Sequence, residues 1–240
     1  MVDPLGQHGS AREVGDAGDA GDIGAVSFDL DGTLYDLDRA RRPLLWATFP
    51  RWRTLRVGRR VREELRGRSF DSGEALLQEE AHIAAERLDV DVDVARAHLH
   101  RVFNVSLTTV LHKVGPRAEA RAVLEAIVAR GLPIAVVSDR GHVREKLTAL
   151  GLADLPWAAL VSADDTGVLK PAAGLLTHTA GLLGVPTSRL LHVGDRDDAD
   201  GAAARAAGAR GLIIAENTVS PLSAVLLALG LSSSTGSPTR

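Results

Sequence analysis

The chain has 240 residues, of which 45% are hydrophobic and 25% are charged, with a formal net charge of −3 and no cysteine. This composition suits one globular domain with an insertion, and the charge balance provides no overall field that would recruit nucleic acid or an anionic membrane. The lack of cysteine excludes disulfides, thiolate zinc sites and a cysteine nucleophile, and it is compatible with a reducing cytoplasm.

Both ends of the chain differ in composition from the rest. Residues 1–22 are rich in glycine and aspartate and hold no apolar block of signal-peptide length, so we expect a disordered leader. Residues 232–240 are mostly serine, threonine, glycine and proline, and we expect a disordered tail there. The apolar stretch 212–231 is interrupted by polar residues and a proline, which is untypical of a membrane span.

Short apolar runs alternate with helical patterns after Gly115. Together with an early apolar run, they predict five strands, at 23–29, 133–137, 158–161, 189–193 and 211–215. The predicted helices of this part cover 117–130, 141–150, 172–183, 200–207 and 222–229. Such alternation favours an α/β fold of the Rossmann-like type, in which helices cover both faces of a parallel sheet.

The stretch 35–114 has a helical pattern without strand signals. One of its helices is predicted to end at Leu88 and to be capped by Asp71 or Ser72. An all-helical insertion directly after the first strand would lie above the carboxyl end of that strand and cover it. Residues 39–68 hold eleven arginines and two acids. Two interpretations stay open: a solvated helical face, or a lid that meets a second anionic group on the substrate.

The aromatic and histidine side chains are predicted to be structural. Trp46, Phe49 and Trp52 are spaced three apart, which indicates the internal core of the helical segment or its seam with the sheet. Stacking on a substrate ring is the alternative. His192 lies inside the fourth predicted strand, where a core histidine with its hydrogen bonds satisfied is expected.

Chemically active side chains follow four of the predicted strands. Asp29 and Asp31 come after the first strand, Ser138 after the second, Lys170 after the third, and Asp195 and Asp200 after the fourth. Because ligands bind at the carboxyl ends of the strands in an open parallel sheet, we expect these groups to meet at one crevice.

In these positions the chain resembles the haloacid dehalogenase-like hydrolase superfamily, and in particular its phosphoglycolate phosphatase-like branch. Its motifs are found as Asp29-x-Asp31-x-Thr33, Ser138, Lys170, and Gly194-Asp195 followed by Asp200. The resemblance covers roughly residues 23–216. It implies a sheet of strand order 5-4-1-2-3, a catalytic core formed by 23–34 and 115–231, and a mobile helical cap formed by 35–114.

A cluster of carboxylates at adjacent strand ends repels itself unless a cation lies in it, and Mg²⁺ prefers oxygen ligands of this kind. The predicted ligands are Asp29, Asp195 and the backbone carbonyl of Asp31. Asp200 would stand behind them and orient a metal-bound water or a ligand.

The resemblance also assigns roles in phosphoryl transfer. Asp29 would be the nucleophile that forms an aspartyl phosphate, and Asp31 would protonate the leaving oxygen and then activate a water. An acid at Asp31 is typical of the phosphatases and phosphomutases of the superfamily, whereas the dehalogenases and ion-pumping ATPases lack it.

Phosphate oxygens would be bound by four residues of the same edge. Lys170 would hold Asp29 and one phosphate oxygen together, and the Ser138 hydroxyl would bind another. Backbone N–H groups after the first and second strands, at Leu30 and Asp139, would bind the rest. Thr33 would brace the loop that carries the two aspartates.

The sequence therefore predicts a magnesium-dependent phosphatase that acts on a small phosphorylated metabolite in the cytoplasm, with no nucleic-acid or membrane partner. A phosphomutase with the same intermediate is the closest alternative, and a non-catalytic binding module that retains the fold is another. The sequence makes no prediction of oligomeric state.

Overall fold

The computed structural model describes residues 12–14, 23–214 and 220–231. Its centre is one sheet, whose strands are β1 (Arg12–Val14), β2 (Ala25–Phe28), β3 (Ile134–Ser138), β4 (Trp157–Ser162), β5 (Leu190–Gly194) and β6 (Arg210–Ile213). The strand order is β1-β6-β5-β2-β3-β4. Strands β2 to β6 pair in parallel, and they confirm the predicted order of the five strands. The two strands that carry Asp29 and Asp195 are therefore neighbours.

The sixth strand lies in the segment that we expected to be a disordered leader. Arg12–Val14 pairs antiparallel with β6, so for these three residues the prediction is wrong. The unpaired backbone groups along the edge of β6 provide the reason, since they accept a short strand whatever its side-chain pattern. The rest of the predicted leader, the predicted tail and the end of the fifth predicted strand at Ala215 lie outside the described residues.

Helices cover both faces of the sheet. They are α6 (Ala120–Ala129), α7 (Val143–Ala149), α8 (Ala163–Thr166), α9 (Gly174–Leu182), α10 (Ala202–Ala207) and α11 (Ser223–Ala228). Val26 and Phe28 pack into one buried cluster with α6, α7 and α11, while Ala25 packs into another with α9 and α10. Because successive strand residues point to opposite faces, both faces are apolar and the polar groups collect at the strand ends.

The inserted segment is all-helical in its named elements. These are α1 (Leu37–Ala47), α2 (Trp52–Glu64), α3 (Gly73–Leu88), α4 (Val92–His100) and α5 (Leu107–Val114). Ser72 caps α3, as predicted, by accepting a hydrogen bond from the Ala75 backbone at 3.1 Å. A π-helical stretch, Arg101–Ser106, joins α4 to α5. Within the described parts of the chain, no helix is long and apolar enough to cross a membrane.

The three aromatic residues of this cap are exposed, so the prediction that they form a core or seam is wrong. Trp46 is 79% exposed, Phe49 68% and Trp52 52%. They do not lie on one helix, because α1 ends at Ala47 and a short 3₁₀ turn separates it from α2. The cap fills its own core with smaller residues from α2, α3 and α4 and with Phe103 of the π-helical stretch.

Candidate active site

Asp29, Lys170 and Asp200 form a buried charge cluster at the carboxyl edge of the sheet. The Lys170 Nζ donates to Asp29 Oδ1 and to Asp200 Oδ1, each at 2.6 Å, and contacts the Val137 carbonyl at 3.3 Å. Thr33 donates its hydroxyl to the second oxygen of Asp29 at 3.3 Å. One ammonium thus joins the ends of β2 and β3 to the turn that follows β5.

The burial of this cluster shifts the pKa values of its side chains. Burial raises the pKa of Asp29 well above its ordinary value, and the carboxylates of Asp200, Asp195 and Asp31 raise it further, while Lys170 lowers it. For Lys170, burial acts to lower the pKa, but the neighbouring carboxylates outweigh it and hold the pKa well above the usual range. The lysine therefore stays charged, and Asp29 is an acid whose ionised form is poorly compensated by protein groups alone.

Asp195 completes a set of oxygen ligands. One carboxylate oxygen each from Asp29, Asp195 and Asp200 lie within 4.8 Å of one another. The approach of Asp195 depends on Gly32, which has a φ of +106° and at which a Cβ would overlap the Asp195 carboxylate. Three acids against one lysine leave excess negative charge, so the donor set fits a hard divalent cation.

His192 and Ser27 support Asp200 from the interior of the sheet. The Nδ1 atom of His192 forms a hydrogen bond of 3.0 Å with the Ser27 hydroxyl. Its Nε2 atom lies 3.3 Å from Asp200 Oδ1. His192 is fully buried, and burial lowers its pKa. The prediction of a satisfied core histidine is confirmed, and its second contact shows that it also fixes the orientation of Asp200.

Asp31 is held by two residues that sequence reasoning missed. Lys146 Nζ lies 3.0 Å and 3.3 Å from the two carboxylate oxygens of Asp31, and the Tyr35 hydroxyl donates to Oδ1 at 2.8 Å. Lys146 is completely buried on α7, between Val143 and Leu147. That helical spacing was the available signal, because it places a lysine on the apolar face of the helix.

The predicted phosphate ligands lie at the same edge, where Leu30, Ser138 and Lys170 are buried and Asp139 is partly exposed. The Ser138 hydroxyl oxygen accepts from the Arg140 backbone at 3.1 Å, and the Asp139 carboxylate accepts from the Lys170 backbone at 2.9 Å. Among the described residues, no acceptor for the backbone N–H of Leu30 or Asp139 is present. Buried backbone donors are rarely left without a partner, so this edge is suited to an anion.

The cap reaches the loop after β5 through exposed ion pairs. On the cap side, Arg66 pairs with Glu63 at 2.6 Å and with Asp198 of the core at 2.8 Å. On the core side, Arg196 pairs with the same Asp198 at 2.8 Å and with Glu63 at 3.3 Å. Hydrogen bonds from Arg196 and Arg66 hold the pKa of Asp198 far below its usual range. Asp198 thus takes part in the junction of cap and core and not in the acid cluster.

A second, buried junction lies on the other side of the site. Arg62 of α2 pairs with Glu80 of α3 and, at 2.9 Å, with Asp164 of the core, and it donates to the Asp139 carbonyl at 3.2 Å. Arg140 of the core pairs with Glu80 at 2.7 Å and lies over the Phe103 ring. Two arginines of the arginine-rich segment, Arg62 and Arg66, are therefore committed to contacts with the core.

Six of the eight predicted site residues line one cavity of about 260 Å³ between cap and core: Asp29, Asp31, Asp139, Lys170, Asp195 and Asp200. Ser138 and Leu30 are fully buried behind its wall. Asp200 lies on a π-helical turn, Asp197–Gly201, and Phe103 lies on the π-helical stretch of the cap. Both departures from regular helix therefore place side chains at the site, as such turns often do.

The haloacid dehalogenase-like hydrolase family matches residues 23–208 of the chain. The chain therefore belongs to this family and is a hydrolase. A search of curated proteins finds no match.

Solved structures show the same fold. A predicted phosphoglycolate phosphatase from Haemophilus somnus has 23% sequence identity and a TM-score of 0.54, covering 78% of this chain and 83% of the other. A 2-haloacid dehalogenase from Pseudomonas syringae pv. Tomato has 23% identity and a TM-score of 0.58, covering 87% and 98%. A β-phosphoglucomutase from Clostridium difficile has 18% identity and a TM-score of 0.55, covering 78% and 82%. At these identities the likeness establishes the fold alone.

Proposed function

We propose that the protein is a magnesium-dependent phosphatase that hydrolyses a phosphate monoester through an aspartyl phosphate on Asp29. The observation that carries the proposal is the pairing of a buried lysine with two buried aspartates, at 2.6 Å each, beside a third acid. A nucleophilic carboxylate needs a neighbouring cation to accept an anionic phosphoryl group, and Lys170 supplies one.

Asp29 and Asp195 would hold Mg²⁺, together with the backbone carbonyl of Asp31. When bound, the ion supplies charge neutralisation for the carboxylates and the phosphoryl oxygens. Both oxygens of Asp200 already accept hydrogen bonds, from Lys170 and from the Arg196 backbone, the latter at 3.1 Å. Asp200 would stand behind the direct ligands and hold the Lys170 ammonium and the turn at Arg196 in place.

The reaction would proceed in two displacements. An oxygen of Asp29 attacks phosphorus, the bond from phosphorus to the alcohol oxygen breaks, and Asp31 gives that oxygen its proton. Water then attacks the phosphorus of the aspartyl phosphate while Asp31 takes a proton from the water, which releases phosphate and restores Asp29. Lys146 and Tyr35 would hold the Asp31 carboxylate in place through both steps.

An acid at position 31 favours phosphoryl chemistry over dehalogenation. It stands two residues after the nucleophile and lines the same cavity. Displacement of a halide from carbon by a carboxylate needs no acid for the leaving group, because the halide departs as the anion, whereas an alkoxide leaving group needs a proton.

Phosphate release from a panel of small phosphate esters tests the proposal, with Mg²⁺ and with EDTA. We expect release that requires Mg²⁺ and that falls below detection in Asp29→Asn. Asp198→Asn is the matched control, since this aspartate lies on the same loop but outside the acid cluster, and we expect it to retain activity. Release that persists in Asp29→Asn would refute the assignment, and isomerisation of a sugar phosphate without net release would replace it with a mutase.

A further inference from the structure

The cavity at the site has two chemically different walls. The core wall carries the acids and Lys170. The cap wall presents five apolar side chains: Leu37, Leu44, Leu55, Phe103 and Leu107. Since the phosphoryl group must lie at the core wall, the alcohol part of a phosphate ester would face the cap wall. The apolar side chains offer no hydrogen bonds to it.

Apart from Arg59, the charged groups of the cap wall are already paired. Glu63 and Arg66 bind one another and the loop at Asp198, and Arg62 and Arg140 share the buried Glu80. A sugar in this position would have hydroxyl groups facing leucine, and burying hydroxyl groups without partners is unfavourable. The wall therefore selects against polyhydroxylated leaving groups.

A second cavity of about 760 Å³ lies directly outside the first, between α1 and α2. The two cavities share Leu37, Leu44, Leu55, Arg59 and Leu107, so only one layer of side chains stands between them. The outer cavity continues the apolar surface with Leu45 and the half-exposed Trp52. An apolar chain that passes this layer would therefore keep apolar contacts.

The rim of the outer cavity is cationic. It is lined by Arg41, Arg56, Arg59 and Arg60, with Asp38 as the one acidic residue in its lining. Within the described parts of the chain, none of these four guanidinium groups forms an ion pair or hydrogen bond. Elsewhere in the cap, Arg62, Arg66, Arg87 and Arg96 all have carboxylate partners. The rim is thus suited to a ligand that brings its own negative charge.

We propose that the substrate is a phosphate monoester whose alcohol has an apolar body and carries an anionic group, carboxylate or phosphate, at its far end. This inference rests on the proposed function, because the phosphate is placed at Asp29. The apolar body would cross the leucine layer, and the distal anion would meet the arginines of the rim. The proposal thus follows the second interpretation of the arginine-rich segment, a lid that meets a second anionic group on the substrate. It assigns four arginines of that segment to substrate binding.

Three matched series of substrates test the inference with the full-length protein and Mg²⁺: n-alkyl phosphates, ω-carboxyalkyl phosphates and polyol phosphates of equal carbon number. For the alkyl series we expect kcat/KM to rise about fourfold per methylene up to the length of the inner cavity. We expect a distal carboxylate to add about fivefold for the longer members, and polyol phosphates to be the poorest substrates.

Two pairs of variants separate the apolar body from the distal anion. Leu44→Asn, or Leu37→Asn at a more exposed position, should lower kcat/KM for hexyl phosphate about tenfold more than that for methyl phosphate. Arg56→Gln with Arg60→Gln should remove only the gain from the distal carboxylate. The matched controls are Leu182→Asn and Arg130→Gln, exposed residues that line neither cavity, and they should change neither series.

Calorimetric binding of the corresponding phosphonates, which are not hydrolysed, gives a readout that is independent of turnover. Tighter binding of ω-carboxyalkyl phosphonates than of polyol phosphonates supports the inference. Polyol compounds that bind or react as well as alkyl compounds would overturn it, even when turnover depends on Asp29. Hydrolysis that is indifferent to Asp29→Asn would instead refute the proposed function, while the binding series still decides the ligand class.

Discussion

Replacement of Asp29, the proposed nucleophile, should stabilise the fold when metal is removed. Asp29 is 6% exposed and shares the single ammonium of Lys170 with Asp200. At 2.6 Å and an effective dielectric constant near 20, the attraction to Lys170 is about 6 kcal/mol. Repulsion from Asp195 and Asp200, with oxygens within 4.8 Å, is at least about 3.5 kcal/mol each. Attraction and repulsion cancel, which leaves the desolvation of the carboxylate uncompensated.

Asp29→Asn removes the charge and keeps an oxygen for Lys170. We expect the free energy of unfolding in EDTA to rise by about 2 kcal/mol, which for a domain of this size corresponds to an increase in Tm of about 4–8 °C. Because the pKa of Asp29 is raised above its ordinary value of 3.8, the cost of its charge is absent below about pH 4. The advantage of the variant should therefore grow as the pH rises from 4 towards neutrality.

Thermal unfolding followed by circular dichroism measures this effect. In saturating Mg²⁺ the difference should shrink or reverse, since the wild type would bind the proposed ion with all its ligands and gain about 2.7 kcal/mol at a hundredfold excess over Kd. Asp198→Asn is the control, and its stability should be unchanged or slightly lower because its exposed ion pairs are lost. A Tm of Asp29→Asn in EDTA at or below that of the wild type would refute the charge accounting.

Three further changes probe the supports of the site. Lys146→Met should lower kcat about tenfold to a hundredfold with little change in KM, because Lys146 positions the Asp31 carboxylate. It should have no further effect in an Asp31→Asn background. Additive losses in steady-state kinetics would argue against this positioning role. Arg66→Gln should accelerate hydrogen exchange in α2 up to about fivefold, a difference that should vanish in about 1 M salt. Gly194→Ala should lower kcat at least about a hundredfold, because the new Cβ would overlap the Asp200 side chain. Gly181→Ala is the control, since a Cβ there meets no neighbouring atom. It should raise the free energy of unfolding in urea by about 0.5–1 kcal/mol.

The sequence specified the catalytic edge well because strand ends are encoded locally. An apolar run followed by a polar residue marks the place where a buried strand emerges, and this signal located Asp29, Ser138 and Asp195 at one edge. The resemblance then supplied the strand order, in which the strands that precede Asp29 and Asp195 are neighbours. The structure confirms this order.

Contacts that depend on distant partners were not predictable in this way. Lys146 could be placed on the apolar face of α7, but its partner Asp31 lies 115 positions away and on another element. The edge strand Arg12–Val14 has no apolar pattern in the sequence, and its backbone partner β6 lies far along the chain. The prediction for Trp46 and Phe49 assumed one continuous helix. Because α1 ends at Ala47, the two side chains do not keep the helical spacing that would place them on one buried face.

The two junctions of cap and core differ in how readily they can open. Arg62, Glu80 and Asp164 are nearly buried, so separating them leaves charges without partners in a poorly solvated place, at a cost of about 3–5 kcal/mol. Arg66 and Asp198 meet at an exposed position where water replaces each partner, at a cost of about 1 kcal/mol or less. Cap movement that admits a substrate should therefore pivot at the buried junction and open at the exposed one. Because Arg66 lines the catalytic cavity, that opening would also expose the leucine layer to an incoming apolar group.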